Sequence, residues 1–424
     1  MMNEDFLHYL WKYKLFSKLG LRTSENEVLT ILKSGLHNKN AGPDFLNAQL
    51  KIGNQTWAGN VEIHVKASDW YLHNHETDAN YDAVILHVVW ENDAVIYMEN
   101  NQSLPTLVLK DFVEEQVLNN YRNLFLTPTS WIACQSSIAN VNDFTIDHWK
   151  ERLFFERLER KSTEIKILLE KENNNFEAVL FQLLVKNFGL KVNGDAFLRL
   201  AQSVDFSIVQ KVSSDENQFS ALLFGQAGFL EEAVEDAYYQ QLKAAYHYLK
   251  HKFKLEAVSK NHFSFFRMRP NNFPTIRIAQ LVSLFHQHQH LFSKLIDLKN
   301  LKDFYDLFSI EMHPFWKTHY NFEATSKFSS KKLTKSFVDL LIINTIIPLK
   351  FLYQKSRGAV DEESFLEILK KLKPEKNSVI SKFAEFGVSA KNAFETQALL
   401  ELKNNYCAPK RCLECAIGVA ILNR

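Results

Sequence analysis

Between Gly42 and His87 the chain gathers acids and imidazoles at spacings that suit a divalent-metal hydrolase. Phe45–Ile52 alternates apolar and polar residues, Gly53-Asn54 is a hairpin signal, and Val61–Lys66 alternates again. On a strand, alternate side chains share a face. Glu62, His64 and Lys66 then project together, with Val61, Ile63 and Val65 opposite. A hairpin can bring Asp44, at the entry of the preceding strand, close to Glu62. Two carboxylates and an imidazole, with one basic group to spare, form a hard-metal site for Mg2+ or Mn2+. A water on such an ion is a ready nucleophile.

A second group follows: Asp69, His73, His75, Asp78 and His87. Imidazole favours Zn2+, Mn2+ or Fe over Mg2+. His73, His75 and Asp78 therefore join Asp44 and Glu62 as candidate ligands. Each residue also has a plain reading. Asp44 after Gly-Pro suits a turn, Glu62 and His64 suit a solvated strand face, and His87 suits a satisfied core histidine. Taken together they favour a site.

The four cysteines are Cys134 and the run Cys407, Cys412, Cys415, spaced C-x4-C-x2-C. This is metal-ligand spacing, with Cys134 able to supply a fourth thiol for Zn2+ or an iron–sulfur cluster. Lys410 and Arg411 are expected to favour thiolates. Small buried residues on a terminal helix explain the same pattern, and both readings stay open. Farther along, Arg267, Arg269 and Arg277 lie among aromatic rings, and Ser326–Lys335 holds Lys331 and Lys332. Such mixtures suit phosphate contacts and base stacking, so DNA or RNA is the partner to expect. Solvated helix faces and structural arginines are the competing explanation.

Stepping outward, the elements divide by period. Helical spacing covers residues 5–17, and Ser24 with Glu27 reads as the start of another helix ending near Gly35. Strands are expected over 45–52, 56–57, 61–66, 83–90 and 95–97. From about residue 111 the pattern is helical, including 112–125, 147–171, 176–188, 333–353, 361–372 and 392–403. The expected domains are an α/β part at 1–125, a linker at 126–140 around Thr127-Pro128-Thr129-Ser130, and a helical part at 141–424. The chain's 424 residues, 46% of them apolar, can fill two cores. A net charge of +1 gives no global pull toward polyanions, so any such binding is local. The apolar stretch 336–353 contains Asp339, Asn344 and Pro348, and reads as a buried helix ending near the proline. A start without a basic, then apolar, leader and few cysteines point to a cytoplasmic, non-membrane protein.

Pro43-Asp44 and, 18 positions later, Glu62-x-His64 resemble the paired motif of the PD-(D/E)xK nuclease superfamily. That resemblance implies an α+β protein, with a restriction-endonuclease-like α/β core followed by a large all-α domain. It implies Asp44 and Glu62 as Mg2+ ligands and His64 as the group orienting or deprotonating the attacking water. Histidine stands where the family has lysine, and Lys66 lies one step along the same face. Glu25 and Glu27 are candidates for the extra upstream acid. Some RecB-like nucleases carry an iron–sulfur staple, although their lone cysteine precedes the acidic motif and Cys134 follows it. The combination GPDF, W-x-G-x-VEIH and SDW-x-x-H-x-H-x-x-D-x-x-YD also resembles a bacterial family of unknown function. The leading expectation is a metal-dependent phosphodiesterase acting on DNA or RNA. The alternatives are an inactive binding module with a nuclease fold, and a histidine-metal hydrolase of a small substrate.

Overall fold

The structure is a computed structural model describing residues 2–125 and 130–423. The chain forms two compact units. The first is built from residues 1–150, 381–389 and 400–424, the second from 151–380 and 390–399.

The first unit opens with helix α1 (Glu4–Tyr13). Asn3 caps it by accepting the Phe6 N–H at 3.1 Å. Phe6, Leu7, Leu10 and Trp11 are buried. Six strands follow: β1 (Leu29–Lys33), β2 (Leu36–His37), β3 (Phe45–Ile52), β4 (Gln55–Lys66), β5 (Val84–Glu91) and β6 (Thr106–Val108). Their order is β1-β3-β4-β5-β6, with β2 also paired to β3. The β3–β4 hairpin is antiparallel, whereas β4, β5 and β6 run parallel. Parallel pairing needs a crossover. Here it is the segment 67–83, which carries the short helix α2 (Asp69–Leu72) and two 3-10 turns.

The stretch after Ser24 is a strand, not the expected helix. Asn26 takes a left-handed conformation (φ 69°), and the chain turns there into β1. The local capping pattern survives only as Thr23 Oγ1 accepting the Glu27 N–H at 3.3 Å. Glu25 and Glu27 are therefore not helical, and Glu25 accepts from Ser103. Residues 95–97 form no strand beyond a single bridge, Tyr97 to Ser103.

Leu126–Thr129 of the expected linker lie outside the described residues. The rest of it is packed rather than loose, because Ile132, Cys134 and Ile138 are buried. The C-terminal segment, expected with the helical part, belongs to the first unit. Asn423 Oδ1 accepts from the Tyr9 hydroxyl of α1 at 3.3 Å, and Asn120 donates to the Leu422 carbonyl at 3.4 Å.

The second unit is helical. Its run Lys335–Ser356 is long and apolar enough to cross a membrane, yet 67% of the apolar window is buried inside the protein. Its polar residues are paired. Arg157 donates to Asn344 Oδ1 at 3.0 Å, and Tyr305 to Asp339 at 2.6 Å. The helix does not stop at Pro348. A π-turn over Ile342–Ile346 precedes it, and the proline sits in the first turn of the next α-helical segment. There a missing N–H costs little.

Candidate functional site

The acid and histidine residues of 44–87 converge on one side of β4. Glu62 pairs with His87 across the parallel β4–β5 ladder, which puts Glu62, His64 and His87 on the same face. Two local features allow this. Gly59 has no room for a side chain, since a Cβ there would stand 2.5 Å from the Ala83 carbonyl oxygen. β5 can thus close onto β4 just before the functional residues. Asn74 takes a left-handed conformation (φ 59°) between His73 and His75. That bend turns both imidazoles toward His64.

His64, His73 and His75 present ligand nitrogens that all lie within 4.8 Å of one another. His64 Nε2 is 3.2 Å from His73 Nδ1. Glu62 Oε1 stands 3.6 Å from His64 Nε2 and 3.4 Å from His75 Nε2. A tetrahedral ion with bonds near 2.05 Å separates its ligand atoms by about 3.3 Å, so these spacings suit one ion. His64 and Glu62 are buried, His75 half-buried and His73 exposed. The expected solvated strand face is therefore absent here, and the group reaches solvent through His73.

The surroundings fix these groups. His75 stacks on Tyr81 with ring centroids 3.7 Å apart, and the buried Trp70 packs edge-on against it. His64 Nδ1 meets His87 Nε2 at 2.8 Å. The other His87 nitrogen, Nδ1, is buried without a partner. If His64 Nε2 ligates an ion, Nδ1 carries the proton and His87 Nε2 accepts it. The His87 proton then sits on the orphaned Nδ1. This tautomer chain fits a metal on His64.

Asp44 and Glu62 interlock. The Asp44 N–H donates to Glu62 Oε2 at 3.0 Å, and the Ile63 N–H to Asp44 Oδ2 at 3.0 Å. Sequence reasoning missed two further residues, Glu4 and His8, four apart on α1. His8 Nε2 lies 3.1 Å from Asp44 Oδ2, and Glu4 Oε1 lies 3.9 Å from His64 Nε2. The signal available was their shared face on an amphipathic helix. The acid that approaches His64 from α1 is Glu4, whereas Glu25 and Glu27 are not among the residues gathered around His64.

Burial dominates the electrostatics. It pushes the Glu62 carboxyl up to about 9, with the charge of Asp44 adding to it. It pushes His64 down to about 2 and His87 down to about 3, each with help from neighbouring imidazoles. Burial also opposes charge on His8, but the bond to Asp44 and the nearby acids outweigh it and raise its pKa. Neutral imidazoles are the form that binds metals.

Other expected residues stand apart. Lys66 is exposed, and its charge is felt by Asp93. Asp78 is used locally, accepting the Asn80 N–H at 2.9 Å. Arg277 and Lys331 are buried in the second unit and cannot meet a phosphate. Arg277 donates to Gln280 at 2.8 Å and to Asn272 at 2.7 Å, beneath the Phe337 ring. Lys331 donates to the Trp316 carbonyl at 2.6 Å. Arg267, Arg269 and Lys332 are exposed in the same unit. Cys134 does join Cys407, Cys412 and Cys415. Lys410 and Arg411 do not make them thiolates, because burial raises the pKa of all four thiols. Arg411 is instead paired with Glu414.

Residues 4–378 match the family described as Protein of unknown function (DUF2851). The chain belongs to this family. No curated protein and no solved structure matches it. The match takes in the whole histidine and acid group, while Cys407, Cys412 and Cys415 lie beyond it.

Proposed function

We propose that this DUF2851 protein is a metal-dependent phosphodiesterase acting on DNA or RNA. The observation carrying the proposal is the convergence of Glu62 Oε1, His64 Nε2, His73 Nδ1 and His75 Nε2 at the opening of the site. Three imidazoles and one carboxylate favour Zn2+, Mn2+ or Fe over Mg2+. An ion held by three of these groups would supply positive charge for a phosphoryl oxygen and keep a position at which a water could be activated. The chain's own residues do the rest. His87 holds His64 in the ligating tautomer, and Tyr81 fixes the plane of His75. Asp44 holds the Glu62 carboxyl group through its backbone N–H and raises the pKa of His8 beside it. His8 can then contact a phosphate oxygen or give a proton to the leaving group. The succession of α1, Pro43-Asp44 entering β3 and Glu62-x-His64 on β4 supports a nuclease-like core, with His8 standing beside the acids where Lys66 does not.

A second reading, hydrolysis of a small substrate, draws support from the exposed position of Lys66 and the imidazole-rich donor set. One experiment separates the two. Purified protein loaded with Mn2+ or Zn2+ is assayed on labelled single- and double-stranded DNA and RNA, and on a nitrophenyl phosphodiester. Cleavage of polynucleotide, lost in His64→Ala and Glu62→Gln, is the expected result. Turnover of the small ester alone selects the second reading. Undiminished cleavage in both variants removes the site from the mechanism.

A further inference from the structure

Four thiols meet in the first unit, away from the histidine group and independent of its reading. Cys134 and the three C-terminal cysteines line one cavity of about 10 Å³, enough for a water-sized body. Leu402, Tyr406 and Ile417 close it with apolar surface. None of the four cysteines is joined in a disulfide. They do not stand on a regular helix face, as plain burial on a terminal helix requires. Cys407 ends a π-turn, Cys412 opens a 3-10 turn, and Cys415 is the N-cap of the helix Ala416–Leu422. Lys410 takes a left-handed bend (φ 57°) between them. A Cβ on Gly418 would lie 2.1 Å from the Cys412 carbonyl oxygen, so the loop folds down tightly there. Irregular backbone of this kind aims side chains inward at the expense of regular hydrogen bonding.

The spacing decides between a single ion and a larger group. Zinc–sulfur bonds of about 2.3 Å place four sulfurs about 3.8 Å apart and leave no central room for a water-sized body. Among the described residues, His64, His73 and His75 are the group whose ligand atoms all lie within 4.8 Å of one another. No three cysteine sulfurs do so, and a water-sized space remains between them. The sulfurs therefore surround something wider than one ion. Cys134, Cys412 and Cys415 are buried, so a group held between the sulfurs would be shielded from water.

We infer that Cys134, Cys407, Cys412 and Cys415 hold an iron–sulfur cluster. Each thiol loses its proton to solvent as its sulfur takes up iron. The cluster fastens the segment around Cys134 to the C-terminal turns, and those turns pack on α1, which carries Glu4 and His8.

The test uses the full chain, purified without oxygen and, in a parallel sample, reconstituted with ferrous iron and sulfide. Iron and acid-labile sulfide in comparable amounts, with visible charge-transfer absorption, are expected. Cys134→Ser and Cys412→Ser should each lose most of that absorption. His64→Ala should retain it, which separates this inference from the hydrolase reading. Zinc without sulfide, a disulfide between these cysteines, or no iron after reconstitution overturns the inference. Because a serine variant can misfold, the iron and sulfide content of the unaltered chain decides alone.

Discussion

His87 shows how one buried side chain shapes a site it does not line. Its Nε2 meets His64 Nδ1 at 2.8 Å, and its own Nδ1 has no partner. Replacing it by Phe keeps a ring of similar breadth and removes the acceptor. Metal affinity should fall roughly 10–100-fold, as it does when ligand-orienting partners are lost. Titration of the metal-dependent rise in Tm measures this, and unchanged affinity would show that His64 needs no orienting partner. At this scale the sequence was legible where function depends on type and spacing. Glu62-x-His64 and His73-x-His75 announced themselves, and the structure brings them together. Cys134 and the C-terminal thiols were legible as candidates but not as neighbours, since spacing says nothing of a distant return. Arg277 and Lys331 were misread because a cation among rings looks the same in a core as on a surface. Only burial separates the buried hydrogen-bonded guanidinium from a phosphate contact.

Among the elements, the crossover between β4 and β5 delivers two of the three clustered imidazoles from a short segment. It must reverse direction twice and still deliver His73 and His75 to one point. Asn74 makes that possible in its left-handed conformation. A β-branched residue there would cost about 1–2 kcal/mol in backbone strain. Asn74→Val should weaken metal binding and lower the Tm, whereas Asn74→Gly should preserve both. Equal effects of the two would point to the side chain rather than the backbone. The strands 45–52 and 83–90 were legible from alternation and apolar runs. β1 was not, since Ser24 and Glu27 mimic a helix start and only pairing with β3 overrides that local pattern. The helix through Pro348 was hidden for a related reason. A π-turn shifts the hydrogen-bonding frame ahead of the proline, and nothing in residue type announces such a turn.

In the whole molecule, the first unit is assembled from segments far apart in sequence. A division into an α/β part and a helical part followed from the change in period near residue 111, but the return of 381–389 and 400–424 did not. Contacts such as Lys403 donating to the Trp131 carbonyl at 2.8 Å depend on tertiary structure alone. A chain truncated after Leu399 lacks the three C-terminal cysteines and the partners of Tyr9 and Asn120. It should lose the metal-dependent rise in Tm even though every histidine ligand is retained. A ligand present at 100 times its Kd stabilises by about 2.7 kcal/mol, so the loss is easily measured. A full rise in the truncated chain would show that α1 and the sheet stand without the C-terminal turns.

That return also orders events during synthesis. Domains generally fold as units while the ribosome extends the chain. Here the residues that finish the first unit are translated after nearly all of the second. The nascent sheet and its histidines therefore emerge early and wait, with their opening helix unsecured, until positions 400–423 leave the exit tunnel. Completion of the first unit is thus tied to the synthesis of positions 400–423, long after its sheet has been made.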